Sequence, residues 1–244
     1  MGRRCVGREA GQWNEGPLMR FTKSWGAAAA IVTVSGAAQA ALFDRGGGMI
    51  YDTTHDITWL ADMNYARTSG HIGDGVNTDG AMTWDAADSW ADHLVYGGFD
   101  DWRLPTLIPS AEDKTCSRTF LWAGDHCSGG ELSGLFVTDL GNKVNESVLN
   151  QTGDTAEQIA NLALFSNVQS YAYWSGTKAM DGIMWYFATN GGIQSNYYQY
   201  VTFYALAVRP GDVAAVPEPP TLVLALLGLG ATVMWRRRRP VPAA

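Results

Sequence analysis

The chain has 244 residues, 46% of them hydrophobic and 11% aromatic, with 17 basic and 24 acidic side chains. Between its two distinctive ends, about residues 41 to 216, only eight basic residues face 21 acidic ones, a formal charge near −13. That balance excludes nucleic acid and anionic lipid as partners of this stretch, since both require a basic face; its length suits one domain with a sizeable core.

Residues 1–18 carry Arg3, Arg4, Arg8, Glu9 and Glu15 and show no export pattern, so Met19 is the expected start. Arg20 and Lys23 then form a positive n-region and Trp25 to Val34 an apolar core. Ala38-Gln39-Ala40 has the small-x-small form of a cleavage site. Together they predict a signal peptide over 19–40, a mature N-terminus at Ala41 and an oxidising destination.

The exported domain is expected over 41–213. A glycine turn at 46–48 leads into a strand ending at Asp52, and Ile57–Leu60 returns as the second strand of a hairpin. The loop from Ser69 to Gly80 presents Asp74, Asn77 and Asp79. Calcium takes six to eight oxygen ligands. These three supply part of such a set without EF-hand spacing, so the loop reads either as a calcium site or as an Asx-rich turn. Thr83 is the expected N-cap of a helix with Asp85 in its first turn and Trp84, Ala87, Ala91 and Leu94 at helical spacing, ended by Gly97-Gly98.

An extended run follows, Phe99 to Thr106, in which Trp102 and Leu104 alternate with Arg103. The alternation sends Trp102 and Leu104 inward, with Arg103 pairing Asp100 or Asp101; the competing reading makes Asp101, Trp102 and Arg103 ligand contacts. Cys116 and Cys127, an even pair in an exported domain, predict a disulfide; a metal site with His126 is the alternative, short of ligands. Glu131 to Leu140 reads as a second short helix ending at Gly141, and 142–170 as an irregular excursion. The last third is β: Tyr171–Trp174, Met184–Thr189 and Tyr200–Arg209, with Asn190-Gly191-Gly192 as a turn. Trp174, Trp185 and Phe187 read as core, and Arg209 as half of an ion pair. His55, His71, His93 and His126 are scattered, and no metalloprotease, nucleophile-elbow or phosphate-loop frame occurs, so the chain is not expected to be an enzyme.

Taken in order, Thr83-Trp84-Asp85-Ala86-Ala87, Asp101-Trp102-Arg103-Leu104-Pro105-Thr106, Tyr173-Trp174-Ser175-Gly176-Thr177, Trp185-Tyr186-Phe187, Asn190-Gly191-Gly192 and Ala207-Val208-Arg209 resemble a bacterial domain family of unknown function. That family also forms the C-terminal domain of the Lcl collagen-like adhesin. The Arg-Leu-Pro-Thr stretch is more loosely similar to formylglycine-generating enzymes and the C-type-lectin-like fold. The resemblance implies an α+β, C-type-lectin-like domain with two short helices on a small twisted antiparallel sheet. It also implies a binding or structural role toward extracellular polysaccharide or matrix protein. The enzyme scaffold supplies the alternative, a polysaccharide-modifying or oxidative activity.

The tail, 214–239, has three parts in order: Val216-Pro217-Glu218-Pro219, an uncharged segment 221–235, and Arg236, Arg237, Arg238 and Arg239, followed by residues 240–244. Proline ends the domain. The uncharged segment can enter a bilayer as a transmembrane helix, and the arginines stay cytoplasmic. Its fifteen residues would span roughly 22 Å of a hydrocarbon core of roughly 30 Å, which suits a temporary anchor. The layout resembles the PEP-CTERM sorting signal of Gram-negative bacteria, which implies recognition and cleavage by an exosortase. The protein is then expected to be membrane-anchored first and at the cell surface or beyond afterwards.

Overall fold

The structure, a computed structural model, describes residues 42–213 except Ile72 and Leu121. The expected misassigned start (1–18), signal peptide (19–40) and sorting tail with its transmembrane segment (221–235) lie outside the described residues. No helix among the described residues is long and apolar enough to cross a membrane.

The domain is α+β, built on two antiparallel sheets. The first has strands β1 (Leu42–Asp44), β2 (Met49–Asp52), β3 (Ile57–Leu60) and β9 (Val208–Pro210), in that order. Gly46, Gly47 and Gly48 all adopt positive φ in the β1–β2 turn, and a Cβ on Gly48 would collide with the Tyr96 hydroxyl. Glycine alone meets both demands. Because Thr58 faces Arg209 across the sheet, the two ends of the domain pair with each other. A bidentate ion pair from Arg45 to Asp212 reinforces this closure.

The second sheet runs β4 (Arg118–Phe120), β5 (Ala123–Asp125), β8 (Ile193–Tyr198), β7 (Ile183–Ala188) and β6 (Ala172–Met180). The expectation of one small sheet is thus corrected to two. The Cys loop lacked alternation because β4 is exposed along its whole length, so no apolar face marks it as strand. The expected strand Tyr200–Arg209 shrinks to β9; residues 201–207 run between the sheets, with Tyr204 bridged to Tyr173 of β6, Phe203 bridged to Met82 ahead of the second helix, and the Ala207 carbonyl accepting the Leu60 N–H of β3.

Helix α1 (Tyr65–Thr68) is one turn, and α2 (Trp84–Asp92) opens at Thr83, whose hydroxyl accepts the Ala86 N–H. The α2 helix stops at His93, before the glycines expected to end it. Gly97 and Gly98, with φ of 63° and 87°, instead form a tight two-residue turn in which Tyr96 and Phe99 exchange both backbone hydrogen bonds. Helix α3 (Glu131–Ser133) continues as a π-helix, Gly134–Asp139, and Gly141 at positive φ closes it. The segment read as irregular contains α4 (Ala156–Leu162), opened by a reciprocal capping box between Thr155 and Gln158.

The core lies between the sheets and helices. The widened π turns aim Leu135 and Phe136 inward, and Phe136 stacks on Phe187 of β7 with centroids 5.3 Å apart. Four buried tryptophans each place the indole N–H on a partner: Trp59 on Asp52, Trp84 on the Ser175 carbonyl, Trp102 on the Tyr96 carbonyl and Trp174 on the Met82 carbonyl. Each thus buries a large apolar ring without stranding its polar edge.

Candidate functional site

The Asp-Trp-Arg run lies antiparallel beside β9, with Arg103 and Val208 exchanging both backbone hydrogen bonds at 2.8 and 2.9 Å. Strand alternation then separates its neighbours. Trp102 and Leu104 are buried at 2% exposure each, while Asp101 and Arg103 turn outward. Asp101 takes a bidentate pair from Arg209 at 2.8 and 3.0 Å, and the Arg209 guanidinium lies 3.9 Å over the Phe99 ring. Hydrogen bonding from Arg209 holds the Asp101 carboxyl below the usual carboxylate range.

The partner of Arg103 is Glu131, not Asp100 or Asp101: two hydrogen bonds of 2.8 and 2.7 Å join them. Glu131 opens α3, where a negative charge suits the helix dipole, and also accepts the Thr106 N–H. Burial works to raise its pKa, but Arg103 and Thr106 outweigh that and hold it low. Trp174 is fully buried in β6. The two tryptophans and two ion pairs of this region are all turned on the domain itself.

Cys116 and Cys127 form a disulfide that encloses the β4–β5 hairpin. Beside it, Asp113 accepts hydrogen bonds from Thr115 and from the Gly129 N–H. Asp113 and the two sulfurs are the group of three potential metal-ligating side chains that converges among the described residues, and the bridge occupies both sulfurs. In the 69–80 loop, the Asp79 carboxylate accepts the Ala81 N–H, and the Asn77 amide donates to the Thr202 hydroxyl. Asp74 instead lines a cavity of about 600 Å3 with His71, Trp90 and His93. The three residues therefore take different local tasks.

A second cavity, about 340 Å3, opens at the end of the π-helix between Thr54, Asp139 and α4. Burial pushes the Asp139 carboxyl up to about 7, with repulsion from Asp52 and Glu157 adding to it and His55 opposing it. Asp52 is fully buried and bonded to the His55 ring at 2.9 Å. Hydrogen bonding to Asp52 raises the His55 pKa. The imidazole packs so closely on Gly134 that a Cβ there would sit 2.8 Å from the ring. Nothing in the sequence around Asp139 marked this, since the groups that surround it, Thr54 and α4, are brought there only by the tertiary packing.

The remaining feature is aromatic. Trp122, Met180, Ile183, Asn196, Tyr197 and Tyr198 line a groove of about 410 Å3 on the five-stranded sheet. Trp122 is 48% exposed, and Tyr200, at 69%, stacks on Tyr198 with centroids 5.3 Å apart and planes 14° apart. The Trp122 carbonyl accepts from the Ser195 hydroxyl and the Asn196 amide, which pins the β4–β5 turn to β8. Large exposed rings gathered in one place are uncommon on a soluble domain and mark contact sites. The sequence did carry a signal for it: in Tyr197-Tyr198-Gln199-Tyr200, Tyr197 and Tyr198 are neighbours on one strand and cannot both point to the core, and Tyr200 follows in the turn beyond it.

Residues 215–239 match the PEP-CTERM protein-sorting motif. The matched segment includes Val216, Pro217, Glu218, Pro219 and the four arginines Arg236 to Arg239. It implies exosortase processing and an extracytoplasmic destination. No curated protein and no solved structure matches the chain.

Proposed function

We propose that the protein is an exported, exosortase-processed module that binds or builds extracellular material, associated with exopolysaccharide or matrix protein in a biofilm, and is not an enzyme. One observation carries the reading: a sorting motif at 215–239 directly follows an acidic, disulfide-bridged domain. The bridge suits an oxidising compartment. The exposed rings around Trp122 supply a contact surface. The Asp101–Arg209 and Arg103–Glu131 pairs support a structural role for the motif residues. In this reading the domain is C-type-lectin-like and akin to the adhesin domain family that its motifs resemble, and Asp74, Asn77 and Asp79 of the 69–80 loop are the candidate calcium ligands. Transport would begin with the signal peptide 19–40 and pause at the 221–235 anchor.

The test is Glu218→Ala in a host that carries an exosortase. The variant should remain full-length in the inner membrane while the wild type leaves it. Equal release of both would overturn the reading.

A second reading, a polysaccharide-modifying enzyme on a scaffold like that of the formylglycine-generating enzymes, is favoured by one observation. Asp139 keeps its proton to about pH 7 beside a cavity that Glu157 also lines, the kind of perturbation that active sites use. New reducing ends released from a polysaccharide by the wild type, and none by Asp139→Asn, would support it.

A further inference from the structure

We infer that the Trp122–Tyr198 groove binds a segment of uncharged polysaccharide, its rings stacking on the C–H faces of successive sugars. The inference rests on the extracellular-module reading and names the ligand class of that module's contact surface. Four observations converge on it. The first is size: about 410 Å3 falls among small-ligand sites of roughly 300–1,000 Å3. The second is chemistry. All six lining residues are uncharged, although the domain as a whole is strongly acidic. The net negative charge of the domain, with Asp181 in the adjoining β6–β7 turn, disfavours an anionic polymer or anionic lipid, and the two cations of the same sheet, Arg118 and Lys178, are engaged by Asp125 and by the Trp84 ring. An uncharged chain meets no such barrier.

The third is the mix of groups. A sugar ring offers apolar C–H faces and a rim of hydroxyls. Trp122, Tyr197 and Tyr198 offer flat apolar faces with polar edges, and the Asn196 amide stands among them. A membrane-inserting patch gains nothing from a half-exposed amide among its rings, and a protein partner would need an interface of roughly 800 Å2 per side. The fourth is preorganisation. The Trp122 carbonyl is held by Ser195 at 2.9 Å, Tyr197 packs edge-on to Tyr198 at 5.7 Å, and Tyr198 stacks on Tyr200. Rings already fixed in place lose little freedom on binding. The Tyr200 ring extends the strip beyond the groove, so the surface favours a chain over a monosaccharide.

The test uses the full-length chain in a detergent without a sugar headgroup, so that the outcome does not depend on processing. Retention is measured on insoluble β-1,4-glucan, on neutral galactomannan gel and on alginate gel, with co-sedimentation on phosphatidylcholine and phosphatidylglycerol vesicles of the detergent-free protein in parallel. The expected result is binding to at least one neutral polymer, weaker by about tenfold in Trp122→Ala and in Tyr198→Ala, and none to alginate. Circular dichroism unchanged by either substitution keeps folding out of the comparison. Retention on neither neutral polymer, retention that both substitutions leave intact, or vesicle binding that Trp122→Ala abolishes while polymer binding stays absent would each overturn the inference. If the polymers fail while wild-type protein is still released by exosortase, only the groove's assignment falls and the extracellular reading stands.

Discussion

At the scale of single residues, Trp102, Arg103 and Asp139 make separable claims. Trp102 is almost wholly buried with its indole N–H on the Tyr96 carbonyl. Trp102→Ala should therefore behave as a core deletion, costing about 3–5 kcal/mol of unfolding free energy in a denaturant titration. Arg103→Ala leaves Glu131 with the Thr106 N–H but without the two hydrogen bonds from the guanidinium; because the guanidinium is partly exposed, the loss should be about 1–2 kcal/mol. An unchanged melting temperature for Arg103→Ala would return that residue to the ligand-contact reading. For Asp139 the sign follows from its pKa, raised to about 7 by burial first. The unfolded chain ionises this group near 4. The stability lent by the neutral acid is complete below about 4 and is lost as pH rises through about 7. Asp139→Asn should flatten that decline and raise stability at pH 8 relative to wild type, by on the order of a few kcal/mol. An identical pH profile for the two proteins would contradict the assigned pKa. The inward turn of Trp102 and Trp174 was legible from alternation alone. The Arg103 partner was not, because Glu131 lies 28 positions away and only the packing of α3 brings it near.

At the scale of elements, local chemistry was readable where one signal dominated. The Thr83 cap and the Asn190-Gly191-Gly192 turn stand where their side chains and φ preferences put them. Two glycines at 97–98 were read as a helix stop and instead make a hairpin turn, since Gly-Gly suits both and only the pairing of Tyr96 with Phe99 decides. Helix α4 went unread because just two of its seven residues are buried, too few to give a periodic stripe. The β4–β5 hairpin has the same problem and leans on its covalent clamp. Reducing it, or replacing both cysteines by serine, should cost about 2–4 kcal/mol. It should also loosen the Trp122 turn, seen as faster amide exchange over 118–125. Retained stability and unchanged exchange in the double Cys→Ser variant would mean that the sheet pairing of β5 with β8 suffices.

At the scale of the whole molecule, the sequence is organised by where it travels. The acidic domain closes its own ends through β3, β9 and the Arg45–Asp212 pair, so the segment that follows residue 213 leaves from a finished fold. The sorting motif at 215–239 starts two residues later. Destination was legible at once, because charge and apolarity alternate in blocks along the tail. Ligand class was not, because the aromatic groove joins residues of three strands and a turn. The most direct test is intact-mass and C-terminal peptide analysis of wild-type protein recovered outside the inner membrane of an exosortase-bearing host. The account predicts a chain that ends near Pro217-Glu218-Pro219 and lacks residues 221–239. Released protein that still carries the peptide through Trp235 and the four arginines would contradict it.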